Sequence, residues 1–283
     1  MKTILVPTDF SDYANNALNF AYNIALKTDA QIHLINVIEA FDTQSYSTTG
    51  TMDIDPKVDL YMNEVMKVTT KRMDNIVNNP SYKDVTIISH VHYGKPYESI
   101  SKAIVQHDAD LVVMGTLGSS GLDELFIGSN TEKVVRYAKC PVISVPEKAA
   151  FTGIKNIVFA TNLSVEDDTV IQKIKISQNI FDAKLHILWV NTPHNLKHEE
   201  EMKQKLEEFA QRHMIPNYSV KIFKAIFIDA GIMNYADEIN ADMIALTTGG
   251  RKGIAYLFSG SLAEHVVNHS CLPVWTYNVG RQQ

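Results

Sequence analysis

The chain repeats itself, and this repeat constrains its fold more than any other feature of the sequence. Residues 109–145 align without a gap with residues 241–277. Both segments contain an Ala-Asp pair before an apolar run, then a glycine-rich stretch, and a Pro-Val pair near the end. A repeat of this kind predicts that one supersecondary architecture is built twice in the same chain.

The beginnings of the two halves also match, although at a different spacing. Residues 4–11 correspond to residues 157–164, and His33 then corresponds to His186 in the next apolar run. The halves therefore differ by insertions, one of which is the polar stretch 43–55. We interpret that stretch as a surface loop that precedes a helix.

A short stretch of charged and small residues near residues 147–153 separates the halves. We predict two domains, residues 1–148 and residues 149–283. A chain of 283 residues is long enough for two domains of ordinary size.

Strand-like and helical patterns alternate along the first half. Short apolar runs predict five strands, at residues 4–6, 32–38, 85–91, 111–114 and 142–145. Helical spacing of apolar residues predicts helices at residues 14–25, 62–77 and 100–104 and around Val134. Alternating strands and helices form a parallel sheet that is covered on both faces. We therefore predict an α/β fold with two tandem five-stranded parallel-sheet, Rossmann-like domains, whose final strands are candidate edges for pairing between the halves.

A glycine-rich loop follows the fourth strand, with the spacing Gly115, two residues, Gly118, nine residues, Gly128 and then Ser129. Glycine lets the backbone approach a ligand without a clash of Cβ. The N–H groups of a helix that opens at Gly128 can hold a phosphate, and the hydroxyls of Ser129 and Thr131 would add donors. From the loop alone, a second interpretation stays open: the glycines shape a turn and Ser129 or its neighbour caps a helix.

The position of the loop favours a ligand site. Open α/β sheets bind ligands at the carboxyl ends of their strands, where the strand order reverses. The first strand ends in Pro7-Thr8-Asp9, which should lie across the same crevice. Asp9 or Ser11 would also cap the following helix, a role that is compatible with contact to a ligand.

In combination, these motifs resemble the universal stress protein family in its tandem-domain form. The resemblance covers nearly the whole chain, once per half. It is carried by residues 4–11, residues 110–115, the glycine loop through Ser129, and Cys140-Pro141-Val142. It implies a five-stranded parallel sheet of the adenine nucleotide alpha hydrolase-like type. It also implies that the loop holds ATP, or AMP or ADP, with Mg²⁺ as a companion of the phosphates.

The resemblance also implies individual roles. The glycines and Ser129 would meet the phosphates and the ribose, Asp9 would meet the nucleoside and Val37 the adenine. The full set of implied contacts is Pro7, Thr8, Asp9, Val37, Met114, Gly115, Gly118, Gly128, Ser129, Asn130 and Thr131. One departure concerns Thr116-Leu117, because nucleotide-binding members often place a basic or polar residue between the first two glycines.

The second half has an altered loop. Thr247 replaces the first glycine and Asn162 replaces Asp9, whereas Arg251 and Lys252 add positive charge. Candidate ligand contacts in this half are Asn162, Gly250, Gly260 and Ser261. Two interpretations stay open: a second, weaker nucleotide site, or a degenerate copy that packs against the first half.

Composition excludes several classes of partner. The net charge of −6 and the absence of a basic stripe argue against nucleic acid and anionic membranes. The N-terminus lacks the apolar core of a signal peptide, and we expect a cytoplasmic protein. Cys140 and Cys271 have no paired spacing, and we expect reduced thiols at the edge of a core.

The histidines and catalytic motifs predict no metal centre and no active site. His265 and His269 have i, i+4 spacing but no evident third ligand. We expect His90 and His92 to be solvated. The chain also lacks a GxxxxGK[ST] loop, a GxSxG elbow and any evident catalytic triad.

Two hypotheses for function follow. The first is an ATP-binding stress-response regulator that acts by binding, with at most slow hydrolysis because the loop offers no obvious base. It would form a pseudo-dimer within the chain, could form a homodimer as well, and could contact a protein partner. The second is a nucleotide-free interaction module of the same fold. An enzyme of the ATP pyrophosphatase type is disfavoured, since no SGGxDS-type loop follows the first strand.

Overall fold

The computed structural model of the protein describes residues 1–39, 56–117, 127–147, 149, 153–163, 168–248 and 260–279. The polar stretch 43–55, which we interpret as a loop, lies outside the described residues, as does Gly118.

The first half alternates strands and helices as predicted. Its elements are β1 (Thr3–Pro7), α1 (Asp12–Thr28), β2 (Gln31–Ile38), α2 (Pro56–Val77), a 3-10 turn (Pro80–Tyr82), β3 (Ile87–Tyr93), α3 (Pro96–Gln106), β4 (Leu111–Gly115), α4 (Ser129–Tyr137) and β5 (Val142–Val145).

The second half repeats this order. Its elements are β6 (Asn156–Ala160), α5 (Asp168–Phe181), β7 (Lys184–Asn191), α6 (Glu199–Arg212), β8 (Tyr218–Lys224), α7 (Ile228–Glu238), β9 (Met243–Thr248), α8 (Gly260–His269) and β10 (Val274–Asn278).

All ten strands belong to one sheet, in the order β3-β2-β1-β4-β5-β10-β9-β6-β7-β8. Within each half, every pairing is parallel, which confirms the two predicted five-stranded parallel sheets. The halves meet where β5 and β10 pair antiparallel, with Trp275 opposite Ile143. The predicted edge strands therefore do pair, and they fuse the two sheets into one.

The junction between the halves is buried, and two side-chain hydroxyls bond across it. The Ser144 and Trp275 side chains are completely buried. The Ser144 hydroxyl donates to the carbonyl oxygen of Val274 at 3.2 Å. The Thr276 hydroxyl donates to the carbonyl oxygen of Val142 at 3.3 Å. Each hydroxyl thus crosses the junction, so neither leaves a polar atom without a partner in the core.

Helices cover both faces of the sheet. One continuous apolar core contains residues of α1, α2, α5 and α6 and spans both halves. On the opposite face, α3 and α4 cover the first half and α7 and α8 cover the second. The second face is therefore the one on which the glycine loop ends, because that loop leads into α4. None of the helices in the described part of the chain is both long and apolar enough to cross a membrane.

Replacing Trp275 with alanine should destabilise the protein strongly. Removal of a completely buried tryptophan leaves a cavity at the junction, and we expect the free energy of unfolding to fall by about 3–5 kcal/mol. Urea unfolding followed by circular dichroism measures this change. The control is Leu196→Ala, since Leu196 is 70% exposed and should change stability by less than about 0.5 kcal/mol. Equal stability of the two variants would contradict the assignment of Trp275 to the core.

The two cysteines differ in exposure, although the sequence predicts the same environment for both. Both thiols are free, but Cys140 is buried and Cys271 is exposed. Burial raises the pKa of the Cys140 thiol to about 12, so at neutral pH it stays protonated and unreactive. We expect a disulfide reagent to titrate one thiol in the native protein and two in denaturant. Rapid reaction of two thiols in the native protein would show that Cys140 is accessible.

Candidate functional site

A cleft of about 300 Å³ opens at the carboxyl ends of the first-half strands. It lies where β1 separates β2 from β4, the point at which the strand order reverses. Its volume falls at the small end of the range for ligand pockets. The lining residues that the sequence predicts are Pro7, Thr8, Asp9, Val37, Met114, Gly115, Gly128, Ser129, Asn130 and Thr131. Every predicted first-half residue that the structure describes therefore lines this one cleft, and their contacts with a ligand stay a prediction.

The turn after β1 is fixed by side-chain bonds. The Thr8 hydroxyl accepts from the Phe10 N–H at 3.1 Å, and the Asp9 carboxylate accepts from the Ser11 N–H at 3.0 Å. Phe10 takes a left-handed conformation with φ of 67°. The buried Asn36 side chain donates to the Thr8 carbonyl at 2.8 Å and holds the turn against β2. Asp9 is thereby held at the mouth of the cleft.

Of the two candidate caps for α1, Ser11 has the role. Its hydroxyl accepts from the Ala14 N–H at 3.2 Å. Asp9 is exposed and lies outside the helix, so the cap does not consume the carboxylate that faces the cleft.

The N-terminus of α4 faces the cleft, as predicted. Gly128 is its N-cap, and no side chain caps the helix there. The Gly128 N–H donates to the Thr116 carbonyl at 2.8 Å, which ties the start of the helix to the end of β4. The next N–H groups have no partner within the helix. This end of α4 therefore presents positive dipole and backbone donors, which suit an anion.

Thr131 has a structural role that the sequence does not predict. Its side chain is buried, and its hydroxyl donates to the Gly115 carbonyl at 2.9 Å. The Thr131 hydroxyl hydrogen is thus already donated within the protein, whereas the sequence predicts that it is donated to a phosphate. Ser129 is the hydroxyl of this turn that remains a candidate donor to a ligand.

Gly115 has a packing role that the sequence does not predict. A Cβ at this position would lie 2.8 Å from the Tyr13 Cβ and 2.9 Å from its carbonyl carbon. The end of β4 therefore packs directly on the backbone of α1. Any side chain here would push the helix away from the sheet.

The cleft has an apolar wall and an acidic edge. Sequence reasoning missed several wall residues, namely Ala14, Ile35, Pro96, Ile100 and Leu117. Ile35 could have been found from the strand period, because it shares a face of β2 with Val37. Asp9 and Glu39 supply two carboxylates, and the described part of the lining contains no lysine or arginine. The described lining therefore offers an anion backbone N–H groups and hydroxyls, and no cationic side chain.

The helix that closes the cleft also contacts the second half. Arg136 of α4 makes a salt bridge with Glu264 of α8, and a second one with Glu132 at 3.6 Å. The Ile127 N–H donates to the Asn268 side chain, and Asn278 donates to the Arg136 carbonyl. The start and the end of α4 are thus both attached to the other domain.

The second half keeps the turn but changes its chemistry. The Thr161 hydroxyl accepts from the Leu163 N–H at 3.0 Å, and Leu163 is left-handed with φ of 60°. Asn162 therefore occupies the place of Asp9 without its charge. Gly260 begins α8, as Gly128 precedes α4. Gly250 and the Ser261 side chain lie outside the described residues.

The histidines differ from expectation in one respect. The prediction that His90 is solvated is wrong, because it is half-buried against His33 and His107. Burial, and then repulsion from the neighbouring histidines, lowers the pKa of His90 to about 4. His265 pairs with Asp229 at 2.8 Å, and its ring stacks on His269. Among the described residues, that pair belongs to no group of three candidate metal ligands.

Comparison with known proteins decides the family. The sequence model of the universal stress protein family matches residues 1–146 and residues 153–278. The chain belongs to the universal stress protein family. It contains two such units in tandem, as the resemblance of the sequence motifs implies.

Individual relatives agree with this assignment. A universal stress protein of Methanocaldococcus jannaschii is 30% identical over 144 residues, which are 51% of this chain and 81% of that protein. A universal stress protein structure from Archaeoglobus fulgidus has a TM-score of 0.74 at 21% identity, covering 99% of this chain and 97% of that one. A protein of unknown function from Pseudomonas aeruginosa has a TM-score of 0.63 at 16% identity, with 98% and 92% covered. The two structures show that the tandem fold recurs over the whole chain.

We expect Gly115→Ala to destabilise the protein. The added Cβ must displace α1 from β4, and overpacking of this kind costs about 1–3 kcal/mol. Thermal and urea unfolding measure the change. Stability equal to that of the wild type would show that α1 can shift freely and that packing does not require the glycine.

Proposed function

We propose that the first domain, residues 1–148, binds ATP or another adenine nucleotide in the cleft and acts as a stress-response regulator through its occupancy. The observation that carries this proposal is the uncapped N-terminus of α4, which faces an apolar wall across the strand-order reversal. An apolar wall suits a purine ring and a free helix N-terminus suits phosphate. The cytoplasmic location stays a prediction from the sequence.

The cleft suggests an orientation for the nucleotide. The base would pack on the wall around Val37, Ile100 and Met114, and the ribose hydroxyls would donate to Asp9. The phosphates would accept from the N–H groups that follow Gly128 and from the Ser129 hydroxyl. Each portion of the ligand thus meets a chemically suited part of the described lining.

Mg²⁺ has a specific place in this proposal. Asp9 and Glu39 line the same cleft as the proposed phosphate site, so a bare triphosphate would be repelled by two carboxylates. A divalent cation bound to the phosphates would offset that repulsion, and oxygen ligands are those that Mg²⁺ prefers. Nucleotide affinity should therefore be higher with Mg²⁺ than with a chelator.

Regulation by binding follows from the contacts of α4. A ligand that orders the start of α4 acts on a helix which is bonded to α8 through Arg136 and Glu264. Occupancy would therefore bias the packing between the halves, and with it any surface that a partner or a second copy contacts. Turnover is not needed for this mechanism.

The decisive experiment compares one substitution at equivalent positions of the two halves. Gly128 has φ of −59° and ψ of 139°, which valine adopts without strain, so Gly128→Val adds bulk at the proposed phosphate site. Titration calorimetry with Mg-ATP should show micromolar binding by the wild type and at least a tenfold loss in Gly128→Val, about 1.4 kcal/mol or more. Gly260→Val is the matched control and should leave the strong site unchanged.

Other outcomes distinguish the hypotheses. Equal affinity for Mg-ATP in the wild type and in Gly128→Val would show that the nucleotide does not bind in this cleft. A wild type that neither binds ATP nor changes its melting temperature with ATP would favour the nucleotide-free interaction module. If Gly260→Val loses the strong site and Gly128→Val keeps it, the nucleotide binds in the second half.

A further inference from the structure

Three histidines from separate elements meet on the face of the sheet that α3 covers. His33 lies on β2, His90 lies on β3, and His107 is the residue at which α3 ends. One ring nitrogen from each lies within 4.8 Å of the other two. The three rings also contact one another, with centroids 4.2–5.0 Å apart.

Two ring nitrogens of the cluster are buried without a hydrogen-bond partner, although His33 and His90 share one hydrogen bond. His33 Nδ1 lies 2.9 Å from His90 Nε2, so these two nitrogens face each other. The His33 side chain is 6% exposed, and its Nε2 is buried with no hydrogen-bond partner. The Nε2 of His107 is buried in the same condition. Buried polar atoms without partners are rare in proteins, and an ion that joins them is one physical explanation.

The second half shows what this position looks like without such a cluster. His186 corresponds to His33, and both of its ring nitrogens have partners. One contacts the Asn156 side chain at 3.1 Å and the other contacts the Ser219 hydroxyl at 3.0 Å. Ordinary hydrogen bonds can therefore satisfy both nitrogens of a histidine at this place in the fold, whereas in the first half His33 Nε2 has no partner.

The other two histidines have no counterpart in the second half. His90 lies opposite Ile35 on the neighbouring strand, and the matching register in the second half places Lys221 opposite Leu188. His107 corresponds to Ile239, at the end of α7. The histidine cluster is thus particular to one half and is not a requirement of the fold.

We propose that His33, His90 and His107 form a binding site for a divalent transition-metal ion, with Zn²⁺ as the ion that suits it best. Three imidazole nitrogens are a ligand set that Zn²⁺ accepts, with water as the fourth ligand. Tetrahedral coordination at about 2.0–2.1 Å separates the ligand nitrogens by roughly 3.3–3.4 Å. The three rings would turn one nitrogen each toward the ion, and the half-exposed His90 and His107 would give the ion a route of entry.

The site is separate from the nucleotide cleft but shares a helix with it. Pro96 and Ile100 of α3 line the cleft, whereas His107 stands at the other end of that helix. A bound ion would attach the end of α3 to β2 and β3. The proposal depends on these three side chains and is independent of whether the cleft binds ATP.

Zinc titration of the full chain tests the site. An exposed thiol such as Cys271 can bind added zinc by itself, so the parent protein is Cys271→Ser, stripped of metal with a chelator. We expect one Zn²⁺ per chain to bind at this site and the affinity to fall at least about tenfold in His90→Gln and in His107→Gln. The control is the double variant His265→Gln/His269→Gln, which removes the other close histidine pair and should keep the site.

Cobalt gives a second readout. Co²⁺ added to the parent should produce the visible absorption of a tetrahedral nitrogen site without a thiolate band, and the His107→Gln variant should lose it. His107 ends a helix and is half-exposed, so its replacement leaves the strands intact and decides the matter even where His90→Gln does not fold. A parent that binds no Zn²⁺, or equal affinity in the parent and His107→Gln, overturns the proposal. The proposal is also overturned if the His265→Gln/His269→Gln control loses Zn²⁺ binding while His90→Gln and His107→Gln keep it.

Discussion

The antiparallel pairing of β5 with β10 is the contact on which the rest of the molecule depends. A five-stranded unit alone would expose the edge of β5, with its unpaired backbone groups. Here each half covers the edge of the other, and the hydroxyls of Ser144 and Thr276 bond across the junction. The pairing also places α4 beside α8, where Arg136 meets Glu264. The helix at the candidate phosphate site is therefore supported by the second domain.

Sequence reasoning predicted the features that are local or repeated. The strands, the helix that opens after Gly128 and the meeting of Asp9 with the glycine loop all follow from patterns within short stretches, combined with the geometry of parallel sheets. It did not predict why Gly115 is a glycine, since the reason is Tyr13 in a distant helix. It also missed the bond of Thr131 to Gly115, because the donor and acceptor meet only after the loop closes.

The histidine cluster was missed for a different reason. His33, His90 and His107 come from two strands and a helix end, and their separations match no metal-binding motif. The sequence instead drew attention to His265 and His269, which do have suitable spacing. In the structure the latter pair interacts with Asp229, whereas the three dispersed residues converge. Spacing along the chain can predict a site whose ligands lie on one helix or strand. It cannot predict a site that is assembled from three separate elements.

The two halves show that the fold and the chemistry changed independently. Thr8 and Thr161 make the same bond, and both turns contain a left-handed residue. Yet the Asp9 carboxylate and the unsatisfied His33 belong to the first half alone. The cleft and the histidine cluster lie near opposite ends of α3, which spans roughly 16 Å at 1.5 Å per residue. The asymmetry thus places both candidate sites in the first half, while the second half supplies the edge strand and the helix that support it.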